Sequence, residues 1–167
     1  MSMRASWWDY SGNGAYFITL ICKKRIQHLG KINEQEMMTS PSGLIVEQVW
    51  LEMSQHFPYV QIDKFVVMPD HFHGIIIFNK HKVDNPIPLL EVKVKTGGVT
   101  GNANPMLHEN LSMVIRWFKG RTTFEIRKIN PLFKWEKNFY EKIIRNKVHM
   151  TNTQKYIETN PMNWKRT

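Results

Sequence analysis

Cysteine is nearly absent from this sequence, and no long apolar run occurs in it. The single Cys22 excludes an internal disulfide framework and a zinc site built from several cysteines, and its apolar surroundings predict a core residue. No segment approaches the roughly 20 apolar residues that a membrane helix needs. The first residues also lack the basic and then apolar pattern of a secretory signal. We therefore expect a cytoplasmic protein with no membrane partner.

Acidic residues are scarce as well. The 167 residues include 23 lysines and arginines but only 14 aspartates and glutamates, so the net charge is +9. This excess favours an anionic partner, and nucleic acid is the commonest one for a basic domain, although charge alone leaves a protein without any specific partner equally open. The length and the apolar fraction of 42% suit one domain over residues 1–167 that buries a core.

Apolar periodicity divides the chain into strands and helices. Strands are predicted at residues 16–22, 60–68, 71–78 and 139–144, where β-branched and aromatic residues dominate. Helices are predicted from Ser40-Pro41 to His56, at residues 107–129 and at residues 147–160. The apolar side of the first helix is predicted to include Leu44, and that of the second Phe124. This order of elements predicts an α+β domain, with an antiparallel sheet and helices on one face.

Two further segments fit neither pattern. Residues 1–13 are predicted to form a partly docked tail. Residues 79–106 are rich in Pro, Gly, Asn and Lys and are too long for a plain connection, so they are either functional or disordered. Their glycines do not make a phosphate-binding loop, because no Gly-Lys-Ser/Thr follows them.

Two histidines two residues apart are the most informative feature of the chain. His71 and His73 follow a Pro-Asp turn and begin an apolar, β-prone run. Successive side chains of a strand point to opposite faces, so both imidazoles project from one face and Phe72 from the other. Two imidazoles side by side make half of a metal site, and a pair of ordinary strand histidines is the alternative.

The other half of such a site is predicted near the C-terminus. Tyr156 and Asn160 are four residues apart in a helix-compatible stretch that ends at Pro161, so they share one helix face. The Asn160 amide offers a neutral oxygen as a third metal ligand. The Tyr156 phenol is a candidate nucleophile, and a half-buried helix aromatic is its ordinary interpretation.

These residues carry a resemblance to a known family. The chain resembles the REP-associated tyrosine transposases, which are single-tyrosine nucleases with two histidines flanking a hydrophobic residue. Four segments match in the family's order: residues 14–25, residues 67–74, residues 117–123, and a C-terminal segment made of residues 135–145 followed by 156–161. The His-x-His triplet alone is a weak signal, whereas the ordered set covers nearly the whole chain.

The resemblance implies a ferredoxin-like split βαβ fold with the two histidines on a central strand. It also implies DNA cleavage through a 5′-phosphotyrosine with a free 3′-hydroxyl, on single-stranded or hairpin DNA that carries a REP-like palindrome and a flanking guide sequence. There are departures. Gly120 stands where the family usually has Ser, and Lys142 stands where many members have His, which removes any auxiliary role of that His.

The chemistry leaves several choices open. The cofactor is expected to be a divalent metal, Mg²⁺ in the cell with Mn²⁺ as an effective replacement, because imidazole ligands favour Mn²⁺ and a phosphate substrate suits both ions. Tyr140 is the rival nucleophile, ranked second because it has no partner at helical spacing. Asp70 could orient a histidine, but we favour its ordinary role as a turn residue.

Basic residues beside these motifs are the predicted DNA contacts. Charged and hydroxyl side chains can donate hydrogen bonds to phosphates, and single-strand binders interleave them with stacking aromatics such as Trp117 and Tyr140, whereas Trp135 reads as core. The predicted DNA-binding residues are Lys23, Lys24, Arg25, Lys119, Arg121, Thr122 and Arg145.

Taken together, the sequence predicts a metal-dependent single-tyrosine endonuclease and strand transferase, acting on nucleoid DNA as a monomer or a homodimer. A non-catalytic nucleic-acid-binding module of ferredoxin-like fold is one alternative, although the aromatic-rich sheet motif of RNA-recognition domains is missing from the chain. A zinc hydrolase that uses His71 and His73 is another, although it lacks an obvious third His or carboxylate ligand.

Overall fold

The computed structural model describes residues 14–79 and 111–165, so the predicted tail at 1–13 and all of the predicted loop except Asn79 lie outside it. The described residues form six strands and three α-helices, with short 3-10 turns at Lys23–Arg25 and Pro161–Asn163. In chain order the elements are β1 (Gly14–Ile21), β2 (Gly30–Asn33), β3 (Glu36–Thr39), α1 (Pro41–His56), β4 (Val60–Val67), β5 (His71–Phe78), α2 (Leu111–Arg127), β6 (Tyr140–Ile144) and α3 (Lys147–Thr159).

The main sheet has the strand order β4-β5-β1-β6, and every neighbouring pair in it is antiparallel. This arrangement confirms the predicted antiparallel α+β fold and is consistent with a ferredoxin-like split βαβ topology. Strands β2 and β3 form a separate hairpin. Strand β5 is one of the two inner strands, so its main-chain groups are paired on both sides. His71 and His73 therefore stand on a rigid support.

Helix α1 begins where the sequence predicts. The Ser40 side chain accepts a hydrogen bond from the Gly43 backbone N–H at 3.1 Å, and Pro41 occupies the first helical turn, where no main-chain donor is needed. Leu44 differs from the prediction, because 54% of its surface is exposed. Phe124 of α2 is likewise 62% exposed. Both residues follow the apolar spacing, but each lies on the helix flank that turns away from the sheet.

Helices α1 and α2 cover one face of the sheet. The Trp50 ring of α1 lies 4.7 Å from the Phe72 ring and 5.4 Å from the Phe118 ring, measured between ring centroids. This close packing explains the glycine that follows His73, since a Cβ on Gly74 would lie 2.5 Å from Cζ2 of Trp50. Phe72 is buried on this face of the sheet, whereas His71 and His73 project from the opposite face.

Helix α3 packs on the other face, so the prediction that all helices lie on one face is wrong for α3. Ile157 of α3 is 1% exposed and forms a small cluster with Ile75 and Ile144. Phe17 and Ile77 border this cluster, so the second face also carries apolar side chains that need cover. Helix α3 is therefore on the same face as the two histidines. In residues 14–79 and 111–165, no helix is both long and apolar enough to cross a membrane.

Candidate metal and tyrosine site

The two histidines lie at the end of the sheet where β5 begins and β1 ends. His71 pairs with Ile21 across the strands, and His73 pairs with Thr19. The two residues are 8% and 6% exposed, and their ring centroids are 4.7 Å apart. The connection before them is closed by a hydrogen bond, in which the Met68 N–H donates to the His71 carbonyl at 2.8 Å. The expected placement of both imidazoles on one face is what the structure shows.

Each imidazole already has a partner at its Nδ1 atom. The Nδ1 atom of His71 lies 2.6 Å from Oδ1 of Asp70, and that of His73 lies 2.8 Å from Oγ1 of Thr19. Since an imidazole has two nitrogens, a ring that is held at Nδ1 can offer Nε2 to a metal, the arrangement typical of histidine ligands. Asp70 is therefore more than a turn residue: it orients His71. Arg25 faces the same carboxylate, at 3.7 Å.

Burial keeps His73 in the neutral form that a metal ligand requires. Loss of hydration, followed by the charges of His71 and Arg25, lowers the pKa of His73 to about 3. The ring also stacks on Phe17, with centroids 5.0 Å apart. The lone pair of His73 is consequently available over the physiological pH range.

Tyr156 contacts His73 from helix α3. Its ring centroid lies 5.6 Å from that of His73 and 5.9 Å from that of Phe17, in an edge-to-face arrangement with Phe17. The Tyr156 side chain is 52% exposed, so the phenol is accessible to a large substrate. The structure thus brings the predicted nucleophile and one predicted metal ligand together within a single chain.

Asn160 lies, in sequence, between two residues that contact the histidine pair. Tyr156 before it contacts His73, and Trp164 after it stacks on His71 with ring centroids 5.8 Å apart. Asn160 is 9% exposed, and its side chain does not cap the 3-10 turn that follows α3. The role of Asn160 as a metal ligand therefore stays a prediction.

These donors fit a divalent ion bound by two imidazoles and one neutral amide. Within residues 14–79 and 111–165, no group of three or more His, Cys, Asp or Glu side chains could hold a metal. A zinc site built from such ligands therefore has no support in the part of the chain that is described. Cys22 is no substitute ligand, because it is buried in the core and its pKa is raised to about 12, chiefly by that burial.

Tyr140 is a closer rival than its spacing suggested. On β6 it pairs directly with Thr19, and Thr19 pairs on its other side with His73. Directly paired residues present their side chains to the same face, so Tyr140 shares a face with the histidines, two strands away. It is 59% exposed, and within the described residues it makes no ring contact with His73. Contact with His73 therefore favours Tyr156.

Two of the predicted DNA contacts have roles inside the protein. Thr122 is 0% exposed: its hydroxyl donates to the Phe118 carbonyl at 2.8 Å and accepts from Nε1 of Trp135 at 2.9 Å. Thr122 was therefore wrongly placed on the DNA-binding surface, because the threonine run does not reveal which residue faces inward. Lys119 donates to the carbonyls of Glu136 and Lys137 at 2.7 and 2.9 Å, and burial lowers its pKa.

The remaining basic residues lie on surfaces that a phosphate can reach. Lys23, Lys24 and Arg25 form the exposed 3-10 turn after β1, and the turn requires φ angles of 57° and 56° at Lys24 and Arg25. Arg121 is 46% exposed and pairs with Glu125 at 3.3 Å. Arg145 is exposed at the end of β6.

Helix α2 and the segment before β6 enclose a basic concave surface, and the predicted DNA contacts include only Lys23 and Lys119 of its cationic residues. This cavity has a volume of ≈ 1260 Å³. Its apolar wall includes Ile115, Phe124 and Phe139. The cationic residues that line it are Lys23, Arg116, Lys119, Arg127, Lys128, Lys134 and Lys137. The helical spacing of Arg116, Gly120, Thr123 and Arg127 was the available signal, whereas nothing local linked Lys134 to it.

The sequence was first compared with those of known proteins. No protein-family model matches the chain. An uncharacterised protein of Haemophilus influenzae is 34% identical over 167 residues, covering 98% of this chain and 88% of that protein.

Two solved structures share the fold. A REP-associated tyrosine transposase bound to a REP hairpin superimposes with a TM-score of 0.59 and 20% identity, over 96% of this chain and 73% of that one. A candidate transposase from Deinococcus radiodurans superimposes with a TM-score of 0.50 and 13% identity, over 95% of this chain and 96% of that one. The chain therefore belongs to the same family as the Haemophilus influenzae protein and has the fold of a REP-associated tyrosine transposase.

Proposed function

We propose that this protein is a metal-dependent single-tyrosine DNA endonuclease and strand transferase. The observation that carries the proposal is the contact between the Tyr156 ring and His73, which, like its neighbour His71, is held at Nδ1. One accessible phenol stands beside two metal-ligand candidates in one chain. The likeness to a transposase bound to a REP hairpin agrees with such a substrate.

His71, His73 and Asn160 would hold the ion, Mg²⁺ or Mn²⁺. When bound, it would supply positive charge to the non-bridging oxygens of the scissile phosphate. Asp70 and Thr19 keep both imidazoles in the orientation that such binding needs. An alkaline-earth or manganese ion tolerates the neutral amide oxygen and leaves positions for phosphate oxygens.

The Tyr156 phenol would attack the phosphorus atom. The phenol gives up its proton to solvent as the bond from phosphorus to O3′ breaks and the bond to the tyrosine oxygen forms, and the leaving 3′ oxygen takes up a proton as a hydroxyl. The downstream strand then carries a 5′-phosphotyrosine. Because the phosphodiester energy is kept in that link, attack by a 3′-hydroxyl rejoins the strands without ATP.

The basic cavity beside α2 would bind the DNA backbone. It includes Lys23, whose turn also contains Arg25, and Arg25 faces Asp70 at the histidine pair. Cationic side chains therefore continue from the cavity to the proposed scissile phosphate. The exposed Phe124 ring within the cavity offers a stacking surface for an unpaired base. A chromosomal substrate would place the protein in the cytoplasm, with the nucleoid. It would act there as a single domain, in a monomer or a homodimer.

A labelled-hairpin assay tests the proposal. A pool of hairpin oligonucleotides with randomised single-stranded flanks is incubated with the protein and Mn²⁺ and then separated on a denaturing gel. We expect oligonucleotides labelled at the 3′ end to remain covalently attached to protein, and oligonucleotides labelled at the 5′ end to give shortened free fragments. Cleavage without any attached protein would indicate a hydrolase instead. An intact pool that nevertheless binds would indicate a non-catalytic module.

Salt dependence tests the DNA surface separately. Single-strand binding should weaken linearly with log salt, with a slope near −0.7 per phosphate contact. Replacing both Lys23 and Lys134 with Ala should reduce that slope by about 1.4, because two contacts are lost. Affinity is measured by fluorescence anisotropy between 50 and 300 mM salt, roughly the range in which such slopes are linear. Lys31→Ala, on the β2–β3 hairpin, is the control and should keep the wild-type slope. An unchanged slope in the double variant would exclude the cavity.

A further inference from the structure

Strand β4 contains a bulge that turns two neighbouring side chains toward α3. Ile62 pairs with Ile76 and Phe65 with Gly74, so Asp63 and Lys64 together stand opposite the single residue between those partners. A bulge of this kind places one extra residue in a strand and shifts the alternation of its side chains. We call Asp63 and Lys64 the bulge pair.

Both members of the bulge pair contact helix α3. Oδ1 of Asp63 accepts a hydrogen bond from Nε2 of Gln154 at 2.8 Å. Lys64 forms an ion pair with Glu158. Gln154 and Glu158 are four residues apart, so they lie on the same flank of the helix, one turn from each other. The edge strand β4 thus contacts α3 at two successive helical turns.

Tyr156 lies on the opposite flank of the same helix. At about 100° per residue, Glu158 is displaced by about 200° from Tyr156 around the helix axis. Ile157 lies between the two flanks and faces the sheet, where it is 1% exposed. The bulge pair therefore acts on one flank of α3, and the other flank presents Tyr156 to His73.

Apolar packing alone leaves the rotation of α3 weakly defined. Its buried cluster consists of Ile75, Ile144 and Ile157, whereas the opposite face of the sheet buries the main core against α1 and α2. A roll of about 20° about the helix axis would shift a side chain at the 5–6 Å outer radius by about 2 Å. Displacements of about 1 Å can reduce a rate by about 10²-fold, so this rotation matters for the attack.

We propose that the bulge pair positions the nucleophile. Asp63 and Lys64 set the rotation of α3 that directs the Tyr156 phenol to the histidine pair, and they do so without touching DNA or metal. This inference rests on the proposed nuclease function for its rate effect, but the rotation of α3 is measurable without it. An exposed ion pair contributes little to overall stability, so its loss should leave the fold intact. Any change in the reaction rate would then come from the altered rotation of α3.

A charge swap tests this role in the full-length protein. Lys64→Glu should slow single-turnover adduct formation at saturating DNA by about tenfold or more, with unchanged DNA affinity. The double variant Lys64→Glu/Glu158→Lys restores the pair in reverse and should recover the rate to within about threefold of wild type. Lys31→Glu makes the same charge change on the β2–β3 hairpin and should react like the wild type.

Hydrogen exchange provides the second measurement. The main-chain amides of α3 should exchange faster in Lys64→Glu and recover in the double variant, whatever the activity. Wild-type rates and exchange in Lys64→Glu would overturn the positioning role while leaving the nuclease proposal intact. If the wild type forms no adduct, the nuclease proposal fails, and the exchange measurement alone decides whether the bulge pair orients α3: recovery by the swap supports it, and equal exchange in all variants overturns it.

Discussion

Replacing Tyr156 with Phe is expected to abolish the covalent protein–DNA adduct. The change removes one oxygen, which is the proposed nucleophile, so adduct formation and strand cleavage should fall by at least about 10³-fold. The ring contacts with His73 and Phe17 do not need the hydroxyl, and the side chain is 52% exposed. The melting temperature and the DNA affinity should therefore stay close to those of the wild type.

Tyr140→Phe is the matched control for that experiment. Tyr140 is a second accessible phenol on the same face, paired through Thr19 with the strand that carries His73. We expect Tyr140→Phe to form the adduct at the wild-type rate on the same hairpin pool. An adduct that persists in Tyr156→Phe and disappears in Tyr140→Phe would transfer the nucleophile to β6. Mass spectrometry of the tryptic peptide that carries the nucleotide identifies the modified residue directly.

The second large effect is expected from metal binding to the folded protein. If His71, His73 and Asn160 hold an ion, Mn²⁺ at 100 times its Kd should stabilise the wild type by about 2.7 kcal/mol. For a domain of this size that corresponds to a rise of about 5–10 °C in melting temperature. His71→Ala should remove the rise, and Asn160→Ala should reduce it, because each removes one proposed ligand.

The shift has to be compared within each variant. His71→Ala also leaves the Asp70 carboxylate, which is 7% exposed, without its 2.6 Å partner, so its melting temperature without metal should already be lower. His56→Ala removes an exposed histidine at the end of α1 and should keep the full Mn²⁺ response. A rise of equal size in the wild type and in His71→Ala would place the bound ion elsewhere.

Local sequence patterns were reliable where a single element decides the outcome. The His-x-His alternation placed both imidazoles on one face, the Ser40-Pro41 pair marked the start of α1, and strand and helix boundaries came within a few residues of those observed. These patterns were less reliable in predicting which helix side chains are buried. Sequence spacing does not show which side of a helix is buried, because burial depends on the neighbouring elements that pack against it. The residues for which it failed are Leu44, Thr122 and Phe124.

The sequence by itself therefore determined the α+β class, the placement of His71 and His73 on one face of a strand, and the placement of Tyr156 and Asn160 one helical turn apart. All three follow from the 2-residue and 3.6-residue periods of strands and helices. Tertiary structure alone decided that Thr19 orients His73 and that Asp63 and Lys64 contact α3. Thr19 reaches His73 across 54 positions of sequence, and the bulge pair reaches α3 across about 90. Such contacts arise from strand register and helix docking, which the free energy of the whole fold sets and no local pattern encodes.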